Sequence, residues 1–262
     1  MSTTAVVKID TARPGVPLGR LVKVELRKMF DTRSGFWLMM SIGIIAVIAT
    51  VSVILFFPND DLSYSTFGTA VGFPMALLLP VVAILSVTGE WSQRTGLITF
   101  TLAPHRAQVI LSKVIAAVIV GVVSMLLAFA IGALGNVVGS ALNGVDPVWD
   151  MEVGVLFTII LANILGMLVG FMLGVLIRNS AGAIVAYVVY SFLLPGIFGV
   201  LAELQDWFKD IQPWVDFGDA QTPLFDNMPS GEEWAQIGTS GLIWLAIPLA
   251  FGVWSVLRSE VK

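Results

Sequence analysis

Few side chains in this sequence could do chemistry. There is no cysteine, so disulfides, thiol catalysis and thiolate metal sites are excluded. His105 is the single histidine, which rules out a multi-histidine metal site within one copy. No HExxH occurs, and no Gly-Lys dipeptide, so the chain cannot cradle a nucleotide phosphate in a Walker A loop of its own. What remains is the stretch Gly89-Glu90-Trp91-Ser92-Gln93-Arg94-Thr95-Gly96, followed after a short apolar run by Ala103-Pro104-His105-Arg106. Glu90 and Arg94 stand four apart with the acid first, the order that favours a helical turn. The apolar run 97–102, set between Gly96 and Pro104, wants a partner surface or a membrane interface. Two readings fit: a loop that docks another protein, or flanking helices that simply extend past a bilayer.

The elements that hold this segment follow from composition. Of 262 residues, 57% are hydrophobic and 12% charged, with a mean hydropathy of +0.91. A soluble domain carries about a quarter charged residues, and so few leave too little polar surface to cover a core of this size. Six apolar stretches free of Asp, Glu, Lys, Arg and His lie near 35–57, 67–87, 114–138, 153–177, 181–201 and 239–257. Each is close to or above the ~20 residues a bilayer needs. All of the 14 lysines and arginines except Lys209 then fall on one side. The positive-inside rule makes that side cytoplasmic and places both termini there. Most of the 18 acidic residues sort to the other side, which checks the register independently of hydropathy. A cleaved signal peptide is not expected, because about 34 residues precede the first apolar run.

The expected fold is therefore an all-α polytopic membrane protein with six transmembrane helices. Residues 1–17 read as a flexible tail and 18–34 as an amphipathic interfacial helix. In that helix Leu18, Leu21, Val22, Leu26, Met29 and Phe30 recur at helical spacing, around an arc holding Arg20, Lys23, Arg27 and Lys28, with Glu25 among them. The alternative is a merely solvated basic flank. Residues 35–262 form the transmembrane domain, with a cytoplasmic loop at 88–113 and an aromatic external segment at 202–238 that is expected to fold as short helices. In the fourth span Ala162, Gly166, Gly170 and Gly174 make a small-residue ladder for close helix packing, within one subunit or between two. Pro74, Pro80 and Pro195 should kink their spans. Asn163, central in span four, is either a helix–helix hydrogen bond or a ligand contact.

At the cytoplasmic loop the sequence resembles the permeases of ABC-2 type ABC transporters, in particular actinobacterial ones. The resemblance rests on Thr88–Gly96 as quoted, then Thr101-Leu102-Ala103-Pro104-His105-Arg106 and Lys113. The topology extends it over nearly the whole chain. The resemblance implies a bacterial cell-membrane exporter subunit that is not itself an enzyme, working as a pair with a second copy or a paralogue. Each permease would dock a separate ATPase subunit, and that partner would bind ATP and Mg. Residues 90–96, with Pro104, His105 and Arg106, would be the coupling segment, and the 18–30 helix a connecting helix that also touches the ATPase. Pro74, Pro80 and Pro195, with Asn163, would flank the substrate path. Trp91-Ser92-Gln93 departs from the charged residues frequent there in the family. Membrane lipids are expected partners; nucleic acid is not. The competing readings are a non-transporting membrane partner (a sensor, immunity or scaffold protein) and, more remotely, a membrane enzyme.

Overall fold

The structure of the protein, a computed structural model, describes residues 16–92 and 106–258. The helices run in order as α1 (Leu18–Asp31), α2 (Arg33–Phe56), α3 (Tyr64–Ser92), α4 (Arg106–Asn143) and α5 (Val153–Ile177). The next span is α6 (Ser180–Val188), a π-helical turn (Val189–Leu193) and α7 (Leu194–Leu204). Then come the short helices α8 (Asp206–Val215), α9 (Phe217–Ala220) and α10 (Pro223–Asp226). The chain ends with α11 (Gly231–Gly241), a second π-helical turn (Leu242–Ala246) and α12 (Ile247–Arg258). Among the described residues six helical stretches are long and apolar enough to cross a membrane, as the sequence predicts.

The boundaries shift in three places. Thr32 is extended and its hydroxyl accepts from Gly35 N at 3.1 Å, so it caps α2 and ends the interfacial helix at Asp31. α3 continues to Ser92 and α4 begins at Arg106, so helix takes up both ends of the expected 88–113 loop. At 38 residues α4 is about 57 Å long, well beyond the ~30 Å of a hydrocarbon core. The external segment narrows likewise: α7 reaches Leu204, and α11 opens at Gly231 with a Ser230–Glu233 capping box. The tail up to residue 15 lies outside the described residues.

Side-chain ties sort the helix ends into two faces. At the acidic end Asp150 accepts from Ser65 N at 2.8 Å and Ser65 Oγ at 2.6 Å, and Asn136 Nδ2 donates to Val148 O at 2.9 Å. At the basic end the hydroxyls of Thr88 and Ser180 meet at 2.8 Å, and Arg178 donates to Ser255 Oγ at 2.7 Å. The spans thus alternate in direction as the charge pattern requires.

α3 and α5 form the centre of the bundle, with Met75, Leu79, Met167 and Phe171 wholly buried. The ladder on α5 explains their closeness. A Cβ on Gly170 would stand 2.7 Å from Pro80 O, and one on Gly174 would stand 3.4 Å from Ile84 Cα, so α3 lies directly on these two glycines. The ladder packs within one subunit. Gly166 departs from that reading: a Cβ there would have only Tyr187 Oη within reach, at 4.0 Å. Gly132, Gly135 and Gly139 make a further ladder on α4, against Phe67, Thr50 and Ile54 of its neighbours.

Candidate functional site

Two clusters of buried polar side chains bear on function, one at the basic end of the bundle and one towards the acidic end. The cluster at the basic end begins with α1. Leu18, Leu21, Val22 and Leu26 are half-buried and Met29 is buried, so α1 lays its predicted apolar arc on the start of α4 and on α2. Lys23 and Arg27 are exposed, as expected of the polar arc. Phe30 does not follow the arc; it is 51% exposed. Glu25 falls three residues after Val22 and four before Met29, inside the apolar arc, and is buried.

Four charged side chains meet where α1, the end of α3 and the start of α4 converge. Lys113 Nζ lies 2.7 Å from Glu25 Oε2 and 3.1 Å from Glu90 Oε1. Lys28 Nζ lies 2.8 Å from Glu25 Oε1 and 2.9 Å from Glu90 Oε1. Lys113 also donates to Ser86 O at 3.2 Å. The side chains of Lys113, Glu25 and Glu90 are only 5%, 7% and 10% exposed. Two acids balance two bases, so desolvation is met by pairing on every side. Burial works to lower the Lys28 ammonium, but the hydrogen bonds and charges of Glu25 and Glu90 outweigh it and hold the group above the usual lysine range. Trp91 is half-buried and packs on the same core as Val22 and Leu26.

This geometry corrects the placement of two coupling residues. Glu90 and Trp91 are turned into the fold, because the helix that carries them continues against α1 and α4 and a carboxylate there finds two ammonium groups. Ser92 is the last residue of α3 and Arg106 the first of α4. Gln93, Arg94, Thr95, Gly96, Pro104 and His105 lie outside the described residues, as does the apolar run 97–102. The knot itself went unpredicted, although its signals were present: a lone acid on the apolar arc of a basic helix, and a lysine opening a span.

Towards the acidic end the spans are interrupted. Pro80 has no N–H for the carbonyl four residues back, and the Tyr187 hydroxyl donates to that carbonyl, Ala76 O, at 2.9 Å. In both later spans the π-helical turn sits just ahead of a proline, Pro195 and Pro248. Leu194 N there bonds back to Val189 O and Ile247 N to Leu242 O. The two turns face each other through Tyr190 and Trp244, whose rings are 5.7 Å apart. A cavity of about 280 Å³ opens beside them, and Asn163, Gly166 and Pro195 all line it. Of the expected path residues, Asn163 and Pro195 therefore share one cavity. Pro80 is instead buried against Gly170, and Pro74 lines neither this cavity nor the larger one beside it. Asn163 Nδ2 donates to Ile159 O at 3.0 Å within its own helix, so its amide does not tie two helices together.

The family profile described as ABC-2 family transporter protein matches residues 21–194, which span α1 through the first π-helical turn and include the whole charged knot. No curated protein matches the chain closely enough to count as a relative. Membership of that family implies an ABC ATPase partner in general and a transmembrane subunit, which in such transporters is typically the non-catalytic one. With six membrane-spanning helices, a basic helix packed on their ends and a match over most of its length, this chain belongs to the ABC-2 transporter family and is a permease component of an ABC transporter.

Proposed function

We propose that the chain is the permease subunit of an exporter in a bacterial cell membrane, with both termini cytoplasmic, docked through residues 93–105 and their flanks onto a separate ATPase subunit. Two permeases, this chain with a second copy or a paralogue, work with two ATPases, and those ATPases bind the ATP and Mg. The basic end of the bundle is the cytoplasmic one, by the same rule that sorts the lysines and arginines. The observation that carries the reading is the knot of Glu25, Lys28, Glu90 and Lys113. The docking segment joins α3 to α4, and the knot fastens both of those helix ends to α1. A push on the segment reaches α1, α3 and α4 as one unit instead of being absorbed by a flexible loop. Members of the knot thus act as positioning residues, and the contact with the ATPase falls to 93–105 and the exposed basic side chains of α1. Almost none of the α6–α7 span is buried in the subunit, which leaves it for lipid and for the second permease.

The test is transport and transport-coupled ATP hydrolysis in the assembled complex. Arg94→Ala, in the segment, and Glu90→Gln, in the knot, are both expected to lower the two activities while membrane insertion and co-purification of the permease pair persist. If both variants transport normally, the coupling assignment fails.

A further inference from the structure

We propose that the cavity between α3, α5, the two π-helical turns and α9 is a binding site for a small organic ammonium ion, held within a single subunit. The inference does not depend on which face an ATPase docks or on the direction of transport.

The walls present acceptors. Asn163 is 4% exposed, and its NH₂ is committed to Ile159 O at 3.0 Å. That bond fixes the amide orientation, since the carbonyl oxygen could not take its place against another carbonyl. Its Oδ1 is left buried with no partner among the described residues, and so is the Tyr190 hydroxyl. Asp216, also 4% exposed, accepts cap bonds from Gly218 N at 2.9 Å and Asp219 N at 3.3 Å, and a long one from Gln212 Nε2 at 3.4 Å. No cationic side chain among the described residues pairs with it. Two of the donors on these walls are spent, Tyr187 on Ala76 O at 2.9 Å and Trp244 Nε1 on Val215 O at 2.6 Å, while the unpartnered Tyr190 hydroxyl can accept as well as donate. A buried carboxylate without a countercharge and an amide oxygen without a donor are both costly, and each is relieved by a cation that carries N–H groups. The rings of Tyr190 and Trp244, 5.7 Å apart, supply flat apolar walls and π faces for such a cation.

Size and access agree. At about 280 Å³ the chamber is at the small end of ordinary small-molecule sites, ~300–1,000 Å³. Next to it a wider vestibule of about 790 Å³ is lined by Asp150, Glu152 and Asp226, with no basic residue, and shares Ala76 and Phe225 with the chamber. Hydrogen bonds from Ser65 outweigh the effect of burial and hold the Asp150 carboxyl below its ordinary range, so that wall stays anionic. Such a mouth concentrates cations and repels anions.

Phenethylammonium is a suitable probe, titrated into the purified subunit in lipid nanodiscs by calorimetry. Saturable binding is expected, with phenylacetate not binding. Phenyltrimethylammonium, which has the charge but no N–H, should bind about tenfold more weakly, the worth of one charge-assisted hydrogen bond. Asn163→Leu should weaken phenethylammonium binding by about tenfold or more. Gly166→Leu controls for folding: Gly166 lines the chamber and a Cβ there meets only Tyr187 Oη, at 4.0 Å, so the side chain should fill the chamber and abolish binding with the melting temperature retained. Absence of saturable binding, equal binding of phenylacetate, or full binding by a folded Gly166→Leu protein would each overturn the proposal, showing respectively no site, no preference for a cation, or a site elsewhere.

Discussion

The two buried polar clusters of this protein are built on opposite terms. In the knot at the basic end each of the four charged groups meets its opposite: Lys113 touches Glu25 and Glu90, and Lys28 touches both as well. Towards the acidic end, among the described residues, Asn163 Oδ1 and the Tyr190 hydroxyl are buried without partners and Asp216 is buried with no cation paired to it. Burial of polar groups is tolerated only when their hydrogen bonds and charges are met. A satisfied cluster therefore fixes geometry, and an unsatisfied one keeps free capacity for something that arrives from outside. In a transporter the first suits the end that receives mechanical work, and the second suits the end where a solute is held.

Removing one member of the knot should give the largest effect. Lys113→Met leaves Glu25 and Glu90 facing each other with only Lys28 between, and should destabilise the subunit by about 3–5 kcal/mol in thermal unfolding. If it is neutral, the knot is not the fastening described above. The double change Glu25→Leu with Lys113→Met removes a whole pair and should recover much of that loss, because apolar groups replace a desolvated pair at little net cost. On α5, Gly170→Ala sets a methyl 2.7 Å from Pro80 O and should cost about 1–3 kcal/mol, whereas Gly166→Ala, with open space before it, should change the melting temperature little. Equal effects would erase the distinction between the packed and the open halves of the ladder. Next, Tyr187→Phe strips the donor from the carbonyl that Pro80 leaves free, with an expected loss of about 1–2 kcal/mol by the same measurement. Smallest is Arg27→Ala: its pair with Asp31 is 78% and 58% exposed, and unfolding should shift by less than the error of most assays.

Much of the fold was legible because membranes impose strict rules. Spans must be long, apolar and helical, and lysine and arginine sort by side, so the spans could be counted from composition and charge. The apolar arc of α1 and the tight packing of Gly170 and Gly174 were legible for a similar reason: helical periodicity fixes which residues share a face. The site was less so. Glu90 belongs to a polar segment in the sequence, yet it points inward because α3 continues as helix and brings it to Lys28 and Lys113. Pro80 and Asn163 were expected beside one path, yet Pro80, on α3, packs on Gly170, while Asn163, on α5, lines the open cavity. Gly166 was misplaced in the same way. Its spacing matches Gly170, but a Cβ there would meet the Tyr187 hydroxyl instead of α3, beside the cavity.

The sequence by itself determined the class of protein, the six spans, which ends carry the basic and the acidic residues, and the kinship of the segment around Glu90 with ABC-2 permeases. These depend on local composition and on period, which no tertiary detail can alter. Only the tertiary structure decided which polar groups have partners. Glu25 and Lys113 are 88 residues apart and meet at 2.7 Å, while Asn163 and Asp216, from a span and from the segment between spans, come to line one cavity. Whether a buried charge is satisfied depends on what arrives from elsewhere in the chain. That is why the knot at one end and the open chamber at the other could not be told apart in the sequence.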